Sequence, residues 1–190
     1  MEPRELLDIL TVAERLKDAT RHCYTSGGRH ESVAEHCWMM TLIAFLMKEH
    51  FPEADMDKVI RMCIIHDLGE AFTGDIPVFN KTAADEAKEE DLLKNWVSSL
   101  PKEKAAQMQA LYAEMDARET REAKIYKAID GLEAVVQHNF SDISTWLPNE
   151  YTLNQTYAQD RVGFSPFLTE LREEMRKDTL AKIEKANHQG

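Results

Sequence analysis

Glycine and proline are scarce in this 190-residue chain, at seven and six residues. That is too few turn formers for a loop-rich β-sandwich, and it suits helices. Cysteine is scarcer still. Cys23, Cys37 and Cys63 make an odd count with no C-x-x-C pair, so a disulfide framework is excluded and free thiols in a reducing compartment are expected. No long apolar run is present. The richest, Trp38 to Met47, is about half a membrane span. The amino-terminal MEPRELLDIL lacks the basic stretch that opens a signal peptide. A cytoplasmic protein without a membrane partner is expected. Positive charge is also in deficit, with 23 Lys+Arg against 34 Asp+Glu and a net charge of −11. Such a surface repels phosphate backbones, which argues against nucleic acid polymers and anionic membranes as partners. An anionic small molecule would need a local cation.

The remaining composition, 43% hydrophobic and 30% charged, is that of a globular domain long enough to bury a core. Leu6, Leu7, Leu10, Ala13 and Leu16 fall at helical spacing. After the turn-rich TSGGRH (25–30), Ser32 and Glu35 have the form of a capping box opening an apolar helix to about Phe51. Its circumference is nearly all hydrophobic, so Trp38, Met39, Met40 and Phe45 are expected in the core. A third helix should begin at Asp55 or Asp57 and run into His66-Asp67, followed by a turn at TGDIP (73–77). Residues 82–99 and 101–118 read as charged amphipathic helices, with DEAKEED (85–91) a solvated face. Thr120 caps another helix to about His138, 139–164 reads as irregular, and Ser165-Pro166 opens a last helix towards Ala186. No segment alternates with period two. The expected fold is all-α, a single domain over 1–190 of about six to eight helices.

Chemistry concentrates in His36, His66, Asp67 and Asp130, with Glu70 beside them. His66 and Asp67 follow the apolar RMCII, and Asp130 sits in the apolar KAIDGLEAVV. An acid at a core edge carries a heavy desolvation cost unless something neutralises it. Three helices each bring acid or imidazole inward, as a helical metal site requires. Imidazole and carboxylate ligands suit one divalent cation among Mn, Co, Fe, Ni, Zn or Mg, without choosing between them. Glu70, four residues after His66, shares its helical face. Each feature alone has an ordinary reading, since a buried His is usually a hydrogen-bonded structural residue. Glu133 is either a support for this site or a solvent-facing acid, and His138 has no evident role. His50 and His188, near segment ends, should be exposed.

H…HD…D on successive helices resembles the HD-domain metal-dependent phosphohydrolase superfamily. ESVAEH (31–36), HDLGEAFTGDIP (66–77) and EAKIYKAIDGLEAVVQ (122–137) resemble its 5′-deoxynucleotidase branch. The resemblance covers about 6–140 and leaves 141–190 as a helical extension. It implies an HD-domain helical bundle in which His36, His66, Asp67 and Asp130 are metal ligands and Glu70 is the acid/base residue. By the same resemblance Arg21 binds the substrate phosphate and Asp75 recognises the sugar hydroxyl; apart from the resemblance, Arg29 is a second, lower-ranked candidate for the local cation. One position departs: the bacterial enzyme of this branch carries a bulky aromatic after that arginine, and here it is His22. The implied activity is removal of the 5′-phosphate from deoxyribonucleoside 5′-monophosphates. The alternatives are an HD phosphodiesterase or pyrophosphohydrolase on another nucleotide, and a silent nucleotide-binding module. A homodimer is implied as well, with residues 82–118 or the last helix as its face.

Overall fold

A computed structural model describes residues 1–188. Its helices are α1 (Pro3–Ala13), α2 (Val33–Leu46), α3 (Met56–Ile65), α4 (Glu70–Thr73), α5 (Ala83–Ser98), α6 (Lys102–Ala117), α7 (Arg121–Phe140), α8 (Glu150–Thr156) and α9 (Pro166–Asn187). The all-α expectation holds, with eight of these spanning seven residues or more. The chain also forms a small antiparallel pair that the missing alternation did not announce: β1 (Thr20–Tyr24) and β2 (His30–Ser32). TSGGRH is its turn, with Gly28 at φ 81°, a conformation open to glycine.

α7 is the axis of the molecule. Thr120 Oγ1 caps it by accepting from the Ala123 amide at 3.2 Å. Ile125, Ala128, Ile129 and Leu132 are fully buried against Met40 and Ala44 of α2, Val59 and Met62 of α3, and Leu168 of α9. Each such Ile, Leu or Met contributes about 1.5–3 kcal/mol through burial. α2 starts at the anticipated capping box: Ser32 Oγ accepts from the Glu35 amide, and Glu35 Oε2 accepts from the Ser32 amide at 2.9 Å. α3 starts behind Asp55, whose side chain accepts from the Lys58 amide.

Two expectations fail. Met40 is buried, but Trp38 and Phe45 are 61% and 60% exposed. α3 and α7 cover one side of α2 only, and the outer side stays bare beside Ile64 of α3. Residues 139–164 are not irregular either. They hold a 3₁₀ turn (Ile143–Thr145), α8 and a second 3₁₀ turn (Gln159–Arg161), each too short to reveal a period in sequence. Buried Arg172 of α9 ties this segment down, donating to the carbonyls of Tyr157 and Asn154, both at 2.8 Å.

The same segment crosses α7 at Gly131. A Cβ there would lie 2.5 Å from Ala158 Cβ and 3.0 Å from Arg161 Nη1. Ala158 itself sits at φ 63°, outside the usual region for a side-chain-bearing residue. Replacing a helical glycine by alanine ordinarily stabilises by about 1 kcal/mol. At this crossing the sign reverses: Gly131→Ala lowers stability by about 1–3 kcal/mol through overpacking, read as a lower urea midpoint at unchanged slope.

Candidate active site

Three elements deliver the donor groups. His36 lies in the first turn of α2, His66 caps the C-terminus of α3, Asp67 follows it, and Asp130 comes from the middle of α7. His36 Nε2 is 3.3 Å from His66 Nε2, 3.8 Å from Asp67 Oδ2 and 3.4 Å from Asp130 Oδ1; His66 Nε2 is 2.9 Å from Asp67 Oδ2. His36, His66 and Asp67 therefore cluster, and Asp130 joins them through His36. Donors bound to one metal at about 2.1 Å stand about 3.0 Å apart when adjacent in an octahedron and about 3.4 Å apart in a tetrahedron. Three of the observed spacings lie close to those values, and His36–Asp67, at 3.8 Å, is wider.

The tautomers suit a metal. His66 Nδ1 lies 2.9 Å from the Cys63 carbonyl, and His36 Nδ1 lies against Glu133 Oε2. An N–H on each Nδ1 satisfies those oxygens and leaves both Nε2 lone pairs aimed at the shared point beside two carboxylates. Lone pairs and carboxylates so placed repel one another unless a cation or protons lie between them. This donor set can hold a divalent metal.

Without a metal the centre holds protons instead. Burial opposes charge on His66, but Asp67 and Cys37 together outweigh it and the pKa is raised well above normal. Burial and Arg21 also oppose charge on His36, yet Glu133 and Asp130 leave its pKa raised. Asp67 falls to about 2, because His66 outweighs the burial that would raise it, and Lys127 and His36 do the same for Asp130. Glu70, buried in α4, is pushed up to about 9 by burial and then by Asp67, Asp75 and Glu89; its Oε2 has no hydrogen-bond partner.

These directions set a pH dependence. A raised histidine pKa contributes stability in full below the unfolded value of about 6.5 and loses it as pH climbs through the folded value. Glu70 keeps its proton in the folded state while the unfolded chain releases it above about 4.5, so stability also falls from there to about 9. The depressed aspartates lose their contribution only as pH falls below about 4. The melting temperature of chelated protein should thus drop between about pH 6 and 9. Added metal needs the deprotonated donors, so its stabilising increment should widen over the same span. A constant increment would show that these groups do not hold the metal.

Around the donors lies a cleft of about 240 Å³, lined by Arg21, His22, Glu70, Asp75, Phe79, Lys127 and other residues. A larger cavity of about 670 Å³ between α5 and α6 reaches His66 from behind but carries neither Arg21, Asp67, Asp75 nor Asp130. The smaller cleft is the one with the chemistry. Arg21 and His22 are neighbours on β1, and a regular strand would send them to opposite faces. The pairing Thr20↔Ser32 and Tyr24↔His30 sets four residue steps against two, and that irregularity lets both line the cleft.

Arg21 is held in the cleft by acids. Its Nη1 donates to Glu31 Oε2 at 2.7 Å and Glu133 Oε2 at 3.0 Å, both buried carboxylates. One Glu133 oxygen thus orients both Arg21 and His36, which resolves its role in favour of support. Arg29 lies outside the cleft, bound to Glu35 on the surface. Asp75 lines the cleft, its pKa raised by burial.

Several cleft residues escaped the sequence. Glu150 Oε1 lies 2.6 Å from His22 Nε2 and 2.9 Å from His138 Nε2. These three are a second group able to offer donors to a metal, though 2.6 Å is shorter than the spacing two ligands keep on one ion. Asn154, Tyr157 and Arg161 also line the cleft. Glu150, Asn154, Tyr157 and Arg161 belong to no long periodic helix, so nothing in the sequence pointed to them. Lys127 did leave a signal: it precedes Asp130 by one helical turn, and its Nζ reaches Asp130 Oδ2 at 2.7 Å.

The fold and the donor set define a class: a helical domain whose histidines and aspartates, brought from separate helices, converge on a metal-type centre. Known proteins resolve the class further. The HD_3 family model, described as HD domain, matches residues 13–172, and the chain belongs to the HD domain family. A human protein named 5′-deoxynucleotidase HDDC2 is 28% identical over 138 residues, 70% of this chain and 67% of its own. The crystal structure of a "Predicted metal-dependent phosphohydrolase" from Magnetospirillum magnetotacticum superposes with a TM-score of 0.81 at 25% identity, over 94% of this chain and 95% of its own. The cyanophage S-2L HD phosphohydrolase DatZ, solved with dA and one catalytic Zn²⁺, shares the fold at a TM-score of 0.55 and 21% identity, over 97% of this chain and 98% of its own.

Proposed function

We propose that the chain is a metal-dependent phosphohydrolase that removes the 5′-phosphate from deoxyribonucleoside 5′-monophosphates. The observation that carries this reading is the convergence of four donors beside buried Glu70, in a cleft that also holds Arg21 and Asp75. The names of the human relative and of DatZ point the same way. His36, His66, Asp67 and Asp130 hold one divalent cation, chosen from Mn, Co, Fe, Ni, Zn and Mg. Bound there, the metal supplies Lewis-acid polarisation of the phosphoryl group and lowers the pKa of water.

The chain's own residues do the rest. Arg21, fixed through Nη1 by Glu31 and Glu133, has no protein acceptor on Nε or Nη2 among the described residues and offers them to the phosphate. Glu70, raised towards neutrality, gives a proton to the leaving 5′-oxygen and takes one from the attacking water. Asp75 accepts from a sugar hydroxyl. His22 stands edge-on to Phe79 with ring centroids 5.4 Å apart, and the pair flanks the nucleoside. We further take residues 1–190 to work as one HD domain, since α8 and the turn after it wall the cleft.

Among the described residues no helix is long and apolar enough to cross a membrane. A cytoplasmic location is part of the proposal. So is a homodimer, for which the bare face of Trp38, Phe45 and Ile64 is a candidate seat in addition to α5, α6 and α9; if it is the seat, Trp38→Lys should halve the sedimenting mass. The function is tested by phosphate release from deoxy and ribo 5′- and 3′-monophosphates after chelation and reloading with each metal. Turnover of the deoxy 5′ series ahead of the others is expected. Failure to release phosphate from any 5′-monophosphate with any metal would overturn the reading.

A further inference from the structure

A third cavity, of about 410 Å³, adjoins the cleft. It is lined by Arg118, Lys124, Lys127, Asp160, Arg161, Gly163 and Phe164. Lys127 and Arg161 line both cavities, so these side chains stand at the border between the two. Four cations face one acid there, in a protein whose net charge is −11. Such a local reversal of sign is where a small polyanion would be held.

The join with the donor centre is close. Asp130 turns Oδ1 towards His36 Nε2 at 3.4 Å and Oδ2 towards Lys127 Nζ at 2.7 Å, with Arg161 Nη1 at 3.7 Å. The first two cations of the pocket therefore stand one carboxylate away from the metal-type centre. Arg161 Nη1 is buried and has no hydrogen-bond partner, a donor left unmatched. Its guanidinium is steadied over the Tyr157 ring, 4.9 Å from the centroid. Gly131 lets it approach α7, since a Cβ there would sit 3.0 Å from the same Nη1. Farther out, Arg118 and Lys124 are exposed and have no carboxylate within ion-pair distance among the described residues.

We propose that this pocket is an oligophosphate subsite. It takes the phosphates beyond the first of a nucleoside di- or triphosphate whose 5′-phosphate lies at the donor centre, or a free oligophosphate such as tripolyphosphate. The proposal rests on the reading of the cleft as a nucleotide 5′-phosphate site. One phosphate is served by Arg21 and the metal and leaves the outer cations without a task. A long polyanion is disfavoured, because beyond the pocket it would meet the acidic surface.

Calorimetric titration of the metal-loaded full chain, at fixed free metal, tests this with four probes: orthophosphate, tripolyphosphate, dAMP and dATP. Tripolyphosphate and dATP should bind at least about tenfold more tightly than orthophosphate and dAMP. The variant Arg118→Asn/Lys124→Gln alters only exposed side chains, and Asn tolerates the left-handed backbone of Arg118, at φ 52°. It should weaken tripolyphosphate and dATP by about tenfold while leaving dAMP affinity and hydrolysis within about twofold. If tripolyphosphate alone shows the preference and its loss, the subsite stands with free oligophosphate as its ligand. Equal binding of the short and long probes, or a variant without effect on the long ones, overturns the subsite. Hydrolysis of dAMP by the same sample judges the monophosphate reading separately.

Discussion

Glu70→Gln leaves metal content and dAMP affinity unchanged and lowers kcat by about 10²–10⁴, the usual worth of a positioned general acid or base. The substitution keeps length and hydrogen-bonding shape but removes the titrating carboxyl. Glu70 is buried, its Oε2 unpartnered, and its pKa pushed to about 9 by burial and the neighbouring acids. A bound cation draws that value back down, towards the range where a carboxyl both gives and takes a proton near neutral pH. Metal stoichiometry, nucleotide affinity and kcat on one preparation separate the outcomes. Loss of metal would make Glu70 a ligand or its support. A near-normal kcat would hand the proton to another group.

His66→Ala has a different signature. Its ring is buried, with Nδ1 fixed on the Cys63 carbonyl and Nε2 aimed at the centre. Removing it takes one of four donors and leaves Asp67 without its nearest partner. Metal should be lost at micromolar concentrations, the metal-dependent rise in melting temperature should vanish, and turnover should fall by about 10³ or more, the equivalent of roughly 4 kcal/mol of charge stabilisation. Exogenous imidazole filling the vacated space should restore part of both metal binding and rate. Retention of stoichiometric metal with full stabilisation would place the ion elsewhere, with the His22, His138 and Glu150 group the next candidate.

The centre was legible because its donor residues break strong local patterns. His66-Asp67 interrupts an apolar run at a helix end, and Asp130 stands where α7 asks for a core residue. Long helices with caps, such as α2 behind Ser32 and α7 behind Thr120, carry their boundaries in sequence. What stayed hidden lacks a period. β2 is three residues long, and α8 is seven. Glu150, Asn154 and Arg161 reach the cleft through a crossing over Gly131 that only tertiary structure reveals. Trp38 and Phe45 misled for a related reason, since an apolar circumference says that a helix can be buried all round, not that neighbours cover it. Arg21 was anticipated as a cation, but its two buried carboxylate partners lie 10 and 112 residues away.

Anomalous diffraction from metal-loaded crystals, collected at the absorption edge of the added ion, tests the central claim most directly. The account predicts one strong peak about 2.0–2.4 Å from His36 Nε2, His66 Nε2 and one oxygen each of Asp67 and Asp130. A peak held instead by His22, His138 and Glu150, or a metal at the centre with Asp130 turned to solvent, would contradict it.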